Sequence, residues 1–443
     1  MQMEIHAIDF AARRKQFLSK IKGGVAVFPA ASELIRNNDV TFPYRQDSTF
    51  QYLTGFPEPN AWAILSHGSE APFQMFVQPR DKMKEMWEGK IWGPEAAKSK
   101  FGADIALPSF PESNFDEAFV QAMQKAECLY YRIGKNEKAD RKIFYLLSVA
   151  LRKMGRTGRP LWPIRDPDEI LGEMRLVKSK GEIDRLERAS HISAEAHVNA
   201  MRIAKPGMFE YEVEAILYHS FRAGGAGRLG YESIVASGPN ACCLHYRNND
   251  RRMGEKDLLL VDAGAEYDYY TSDITRTYPV GGTFTQEQRE VYQAVLNAQK
   301  ECIRMVRPGK TLRDIHARAV EVLTEELRKL KVLKGPSAPL IKKRAYYPFY
   351  PHNTGHWLGL DVHDAGPYYT GDYDKARKLE PGMVFTIEPG LYFAPDASSS
   401  PARYRGIGVR IEDDILVTSN GCRVLTSGVP KEIDEVESIC ARG

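Results

Sequence analysis

The sequence predicts two domains: an α/β unit over residues 1–172 and an α+β unit over residues 173–443 that is duplicated within itself. Three observations carry this reading. The first stretch alternates short apolar runs with polar helical segments. A Pro-, Gly- and Asp-rich passage from Gly155 to Asp168 then interrupts the pattern. Beyond it, a helical segment ending in Lys205-Pro206-Gly207 is echoed by a second ending in Arg307-Pro308-Gly309. At 443 residues the chain is long for one core and comfortable for two.

In the first domain, residues 1–21 are periodic and charged without a continuous apolar core, so neither a secretory signal nor a spanning helix is expected there. Val25-Ala26-Val27-Phe28, Ala61-Trp62-Ala63-Ile64-Leu65 and Met75-Phe76-Val77 read as strands. The six cysteines follow no CxxC spacing and are too sparse for a disulfide framework, which fits a reducing compartment. A cytoplasmic, soluble protein is expected. The formal charge of +3 is too small to make nucleic acid or an anionic membrane the main partner, and no basic run is interleaved with aromatics.

In the second domain, the run from Glu173 to Lys178 is expected to open a long helical segment. From Lys180 to Ala204, Ile183, Leu186, Ala194, Met201 and Ala204 share one helical face. Val291, Val295, Ala298, Cys302 and Met305 do the same before the second Pro-Gly stop, and Val213 and Ile315 hold matching places after the two stops. Thr285 with Gln288, and Thr311 with Asp314, have the spacing of helix-opening capping boxes.

The chemistry lies in this half. Three of the chain's ten histidines, His352, His356 and His363, fall within HNTGHWLGLDVHD. Four acidic residues sit where a solvated carboxylate is unusual: Asp262 in VDAG, Asp273 in SDITRT, Glu388 in IEPG and Glu412 in VRIEDD. Asp262 ends the apolar run from Leu258, and a turn beginning at Gly264 returns through Tyr269-Tyr270-Thr271, so a hairpin is expected to place Asp273 opposite Asp262. Carboxylates crowded on one buried face repel and take up protons unless a cation neutralises them. An oxygen-rich set with little imidazole favours a hard ion such as Mn²⁺, and shared carboxylates suggest two ions about 3.5–4 Å apart. Taken singly, each residue has a plainer reading: a turn aspartate, a strand-edge glutamate, a loop histidine at His352, a partly buried turn or core residue at His245. His67, His219 and His316 have no acidic partner at a telling spacing and read as structural.

Together VDAG, SDITRT, HNTGHWLGLDVHD, FTIEPGLY and GVRIEDD resemble the metal-binding segments of the pita-bread metallopeptidases. The segment FPYRQDSTFQYLTGFPEP, from Phe42 to Pro59, resembles the N-terminal domain of the aminopeptidase P branch of that group. The resemblance implies a pita-bread catalytic domain over 173–443, with metal ligands Asp262, Asp273, His356, Glu388 and Glu412. Asp273 and Glu412 are expected to bridge two divalent ions, with Mn²⁺ the expected pair. It implies hydrolysis of the N-terminal Xaa-Pro bond of peptides by a hydroxide held between the ions, with Glu388 moving protons. His245 and His363 are expected to hold the substrate backbone and its tetrahedral intermediate, His352 to line the proline pocket, and Arg410 to orient an acidic ligand from the same strand face as Glu412. Asn353 stands where many relatives carry glycine.

The expected partners are peptides with proline second, with no nucleic acid and no membrane, and a homo-oligomer, dimer or tetramer, built with the N-terminal domain. Residues around Asp39 and Trp87 are then candidates to approach a neighbouring subunit's pocket. Two rival readings share the fold: a prolidase limited to Xaa-Pro dipeptides, and a peptide-binding protein without catalysis, for which lost ligand positions would be the sign.

Overall fold

The computed structural model describes residues 5–371 and 374–441. The chain divides into two compact units, one of Ile8–Met174 and one joining Met1–Ala7 to Arg175–Gly443.

The first unit is built on a six-stranded mixed sheet. Its strands are β1 (Gly24–Pro29), β2 (Trp62–Ser66), β3 (Phe73–Val77), β4 (Ile105–Pro108), β5 (Cys128–Tyr130) and β6 (Ile164–Arg165), in the order β4-β3-β2-β1-β5-β6. Strand β1 is antiparallel to β2 and parallel to β5. The helix Glu137–Lys153 buries Ile143, Leu146, Leu147 and Ala150, one face at helical spacing, and packs with Phe115, Phe119 and Met123 of the helix Ser113–Lys125 over Val27, Ile64 and Phe76. Asp39 lies at the tip of an exposed hairpin between Ile35–Asn37 and Val40–Thr41, and Trp87 lies on the helix Lys82–Glu88, 84% exposed.

In the second unit the same construction appears twice. Helices α1 (Lys180–Ile203) and α2 (Glu210–Ala223) precede strands β7 (Ile234–Ser237), β8 (Leu258–Asp262) and β9 (Thr275–Pro279), which pair in that order. Helices α3 (Gln286–Met305) and α4 (Leu312–Lys329) precede β10 (Val384–Ile387), β11 (Gly390–Phe393), β12 (Ile407–Arg410), β13 (Asp413–Val417) and β14 (Cys422–Val424). Here β10 pairs with β13, β13 with β14, and β11 with β12. After the first Pro-Gly stop, Gly207 N–H donates to Met253 and Phe209 bridges Arg252; after the second, Gly309 N–H donates to Leu379 and Thr311 bridges Lys378. The shift in numbering that carries Met253 onto Leu379 also carries Asp262 onto Glu388, so the repeat reaches the chemistry. The capping boxes at Thr285–Gln288 and Thr311–Asp314 are both formed. Leu259, Val261, Tyr292, Val295, Leu323, Phe385 and Ile415 knit the halves into one core.

Two local expectations are corrected. The run Glu173–Lys178 does not open the long helix: a helix over Asp168–Leu176 ends there, and α1 begins separately at Lys180. Val177 is drawn into a bridge with Met383, Lys178 N–H donates to Gly382, and Ser179 starts a new capping box with Glu182. Nor does Asp273 face Asp262. The residue in register with Asp262 is Thr275, because a separate small hairpin, Ala265–Tyr267 with Tyr270–Thr271, intervenes before β9 begins. That hairpin turns through Asp268 and Tyr269, both with positive φ. It lets Asp273 approach Asp262 from the side.

Candidate active site

The four acidic residues cluster because strand ends converge: Asp262 closes β8, Asp273 precedes β9, Glu388 follows β10, and Glu412 lies between β12 and β13. They open into a cavity of about 1090 Å³ whose wall also carries His245, His352, His356, His363 and Arg410. Backbone passes so close here that Gly264 and Gly355 admit no side chain. A Cβ on either would sit 1.8 Å from a carbonyl oxygen, that of Ser272 or Thr386.

The carboxylates are held from behind. Asp262 accepts from Arg410 Nη2 at 2.5 Å and from the Tyr231 hydroxyl at 2.6 Å, and that hydroxyl also meets Asp273. One hydroxyl has one proton, so the oxygen it does not serve faces a lone pair unless a further proton or a cation joins the group. The Asp273 backbone N–H is held by Asp414, itself bonded to Ser190. Glu412 accepts from Thr275 Oγ1 at 2.6 Å, and its N–H reaches the Thr275 carbonyl. Arg410 additionally donates to Thr275 Oγ1 and Tyr392 OH, so one guanidinium braces Asp262 against both halves of the repeat.

His356 turns Nε2 toward Asp273, 3.4 Å away, and Glu388, 3.8 Å away, with its Nδ1 3.1 Å from the Trp357 carbonyl. One ligand atom from each of Asp273, His356 and Glu412 lies within 4.8 Å of the others. Asp262 and Glu388 flank this trio in the same cavity, Asp262 drawn toward Arg410.

The electrostatics of this group are those of a site short of positive charge. Burial pushes the Glu388 carboxyl up to about 7, with His356 and Arg410 pulling the other way and Asp273 and Asp262 adding to the rise. Burial and then the charges of Asp273, Glu388 and Asp262 carry Glu412 well above the carboxylate range. Burial raises Asp262 against Arg410. Asp273 runs lower: burial opposes its charge, but hydrogen bonding and charge from His356 overcome it. Burial disfavours charge on His356 too, yet Asp273 and Glu388 lift it to about 9. Oxygen-rich, buried and mutually repelling, the set fits divalent cations.

The other histidines are arranged around the group. His352 meets the Asn353 carbonyl through Nδ1 and Tyr392 OH through Nε2, and burial followed by Arg410 drives its pKa to about 3, so it is neutral. The His363 ring stands edge-on to that of His356 with centroids 4.3 Å apart, and burial then the charge of His356 lower its pKa. His245 is exposed on the cavity wall, not partly buried. His316, read as structural from the sequence, also lines the cavity and bonds Thr354 through Nδ1 at 2.9 Å. Tyr231, Thr275 and Tyr392 escaped the sequence reading, since no spacing announces that an isolated hydroxyl will face a carboxylate.

A pita-bread core with converging carboxylates and a histidine defines the class, and the family comparison agrees: residues 184–419 match Metallopeptidase family M24. The chain belongs to this family. Residues 10–130 match the Aminopeptidase P, N-terminal domain, model. The Xaa-Pro aminopeptidase of Escherichia coli is 42% identical over 98% of both chains. Among solved structures, the Pseudomonas aeruginosa aminopeptidase PepP superposes with a TM-score of 0.95 at 43% identity, covering 99% of each chain. The zinc-substituted E. coli aminopeptidase P in complex with product gives 0.93 at 41%, over 98% of this chain and 99% of the other.

Proposed function

We propose that this chain is an Xaa-Pro aminopeptidase, a metal-dependent exopeptidase that hydrolyses the N-terminal Xaa-Pro bond of peptides. The observation that carries it is the convergence of Asp262, Asp273, His356, Glu388 and Glu412 in one cavity, in a chain that matches relatives of this activity along nearly its whole length. No expected ligand position is lost, which speaks against the binding-protein reading.

Asp262, Asp273, His356, Glu388 and Glu412 would hold two divalent ions. The hardness of the oxygen-rich donors favours Mn²⁺. When bound, such ions supply Lewis acidity to the scissile carbonyl and acidify water at neutral pH. Glu388, on the cavity wall beside His356, would take a proton from the nucleophile and return it to the leaving proline nitrogen. His363 and His245 face the cavity as donors for the substrate backbone and the developing oxyanion. His352, kept neutral and fixed by Tyr392, would form a wall of the proline pocket, and Arg410 would orient Asp262 through its bond to that carboxylate.

We read residues 1–172 as the N-terminal module and 173–443 as the catalytic domain; the compact division at Met174 and Arg175 supports the boundary between them, while Met1–Ala7 falls with the second unit. No helix among the described residues is long and apolar enough to cross a membrane. We place the enzyme in the cytoplasm, as a homo-oligomer formed through the N-terminal module. The exposure of Ile35, Met86 and Trp87 supports such a contact, with Asp39 and Trp87 reaching a neighbouring pocket.

The test is hydrolysis of an Xaa-Pro-Xaa tripeptide beside an Xaa-Pro dipeptide, in Mn²⁺ and after chelation. Tripeptide cleavage abolished by chelation is the expected result. Cleavage of the dipeptide alone would make the enzyme a prolidase, and turnover of neither would return the chain to the binding proteins.

A further inference from the structure

His245 sits on a segment that has little regular structure of its own. After β7 the chain makes one 3₁₀ turn over Gly238–Cys242 and then runs without helix or strand through Asp250. Exposed loops of this kind are ordinarily the most mobile part of a fold. A catalytic donor carried on one needs an anchor, because a displacement of about 1 Å is enough to lower a rate about 100-fold.

Two buried groups anchor it: Asn249, which accepts from Val235 N–H and donates to the Ser233 carbonyl, and a carboxylate that takes up both ends of the segment. Glu210, in the first turn of α2, is fully buried and lies outside the metal cluster. Its Oε1 accepts from Ser237 N–H at 2.7 Å, Ser237 Oγ at 2.7 Å and Asn240 Nδ2 at 3.1 Å. Its Oε2 accepts from Tyr246 OH at 2.8 Å and Arg251 N–H at 2.9 Å. All of these donors belong to the segment 237–251, and Tyr246 is the residue next to His245. The position suits a carboxylate: the start of a helix favours negative charge, and every partner donates. Arg251 closes the segment by donating to Ser237 Oγ and pairing with Asp257.

We propose that Glu210 is a positioning residue: its carboxylate clamps both ends of the 237–251 segment and so holds His245 at the reaction centre. This rests on the reading of His245 as a substrate-binding donor. Glutamine cannot replace the carboxylate. Its amide NH₂ must point at one of two groups of donors, and at least one backbone N–H, that of Ser237 or Arg251, then faces another donor.

The test compares Glu210→Gln, Tyr246→Phe, His245→Ala and the double variant Glu210→Gln/His245→Ala, all full length and Mn²⁺-loaded. Glu437→Gln serves as a control, since Glu437 is a partly exposed carboxylate that bonds Phe284 N–H and Arg289 away from the cavity. Kinetics on the tripeptide are normalised to metal content and folded fraction. Glu210→Gln is expected to lower kcat about 10-fold or more with a smaller change in KM, as loss of aim on a transition-state donor does. Tyr246→Phe is expected to lower it about 2- to 3-fold, and Glu437→Gln to leave it unchanged. In the His245→Ala background Glu210→Gln is expected to cost nothing further. Normal kcat in Glu210→Gln, or an undiminished loss in the double variant, would overturn the proposal. Hydrogen–deuterium exchange gives a readout free of the functional assignment: uptake should rise in 237–251 in Glu210→Gln and stay level in β8 and β10. If wild type does not cleave Xaa-Pro peptides but exchange rises in this segment, the clamp stands and the peptidase reading falls. If exchange does not rise there, the clamp falls whatever the activity.

Discussion

Glu412 and Asp413 are consecutive residues, both buried, and their surroundings are opposite in kind. In extended chain, neighbouring side chains point to opposite faces. Asp413 meets Arg276 at 2.7 Å and Lys431 at 2.5 Å, with Thr426 and Gln299 completing its hydrogen bonds. Burial opposes its charge, but those two cations hold its pKa down to about 2. Glu412 looks the other way, into Asp262, Asp273 and Glu388, and is driven upward. A buried carboxylate whose counter-charge is built into the chain serves the fold. One set among other carboxylates is arranged for a cation from outside.

The largest expected effect separates the two directly. Asp413→Asn leaves Arg276 and Lys431 without their partner and should cost about 3–5 kcal/mol in urea unfolding. Glu412→Gln in the metal-free protein should cost nothing or stabilise, because it relieves repulsion, while removing metal-dependent peptidase activity. Equal losses in both variants would erase the distinction.

Next in size is the response to metal. Mn²⁺ at about 100 times its Kd should raise the unfolding free energy of wild type by about 2.7 kcal/mol, seen as a rise in Tm by calorimetry. Glu412→Gln should lose most of that gain, and chelation should reverse it in wild type.

A pH series sharpens the contrast further, since carboxylates in the two kinds of surroundings, Glu388 beside Glu412 in the acidic group and Asp413 outside it, carry opposite signs. Glu388 is raised in the folded state to about 7, above an unfolded value of about 4.3. The metal-free fold therefore binds that proton more tightly, and its stability should fall as pH rises from about 4 through 7. A decline of about 2.5 kcal/mol between pH 5 and 8 is expected from this group, at about 1.4 kcal/mol per pKa unit. Glu388→Gln should lessen it, leaving the slope due to the raised Glu412 and His356, and bound Mn²⁺ should flatten it. The stability contributed by Asp413 behaves oppositely, complete above about pH 4 and lost as pH falls through about 2.

The smallest effect is a control far from both groups. Thr285→Ala removes the cap of α3, whose side chain accepts from Gln288 N–H, and should cost about 1 kcal/mol. It should leave the pH slope and the metal response unchanged. A change in either would mean that global stability, not local charge, drives the other results.

Much of this was legible in the residues. Strands β1, β2 and β3 were readable as apolar runs, and the helix starts at Thr285 and Thr311 as capping boxes, because those signals depend on neighbours within a few residues. The acidic positions stood out because Asp262 and Glu388 end apolar strands, where a solvated charge is out of place. The repeat was legible at its Pro-Gly stops.

The rest required the folded chain. Whether Asp273 would face Asp262 depended on a two-residue turn at Asp268 and Tyr269 that shifts the register, and local pattern does not resolve which of several short strands pair. The break at Val177 came from pairing with Met383, far along the chain. Tyr231, Tyr392, His316 and Glu210 are single residues with no motif, and each matters for what the fold brings to it. The same holds for Glu412 and Asp413. Sequence determines that two carboxylates adjoin on a strand-like segment; only tertiary packing decides that one meets Arg276 and Lys431 and the other meets three more acids, because electrostatic character comes from neighbours in space.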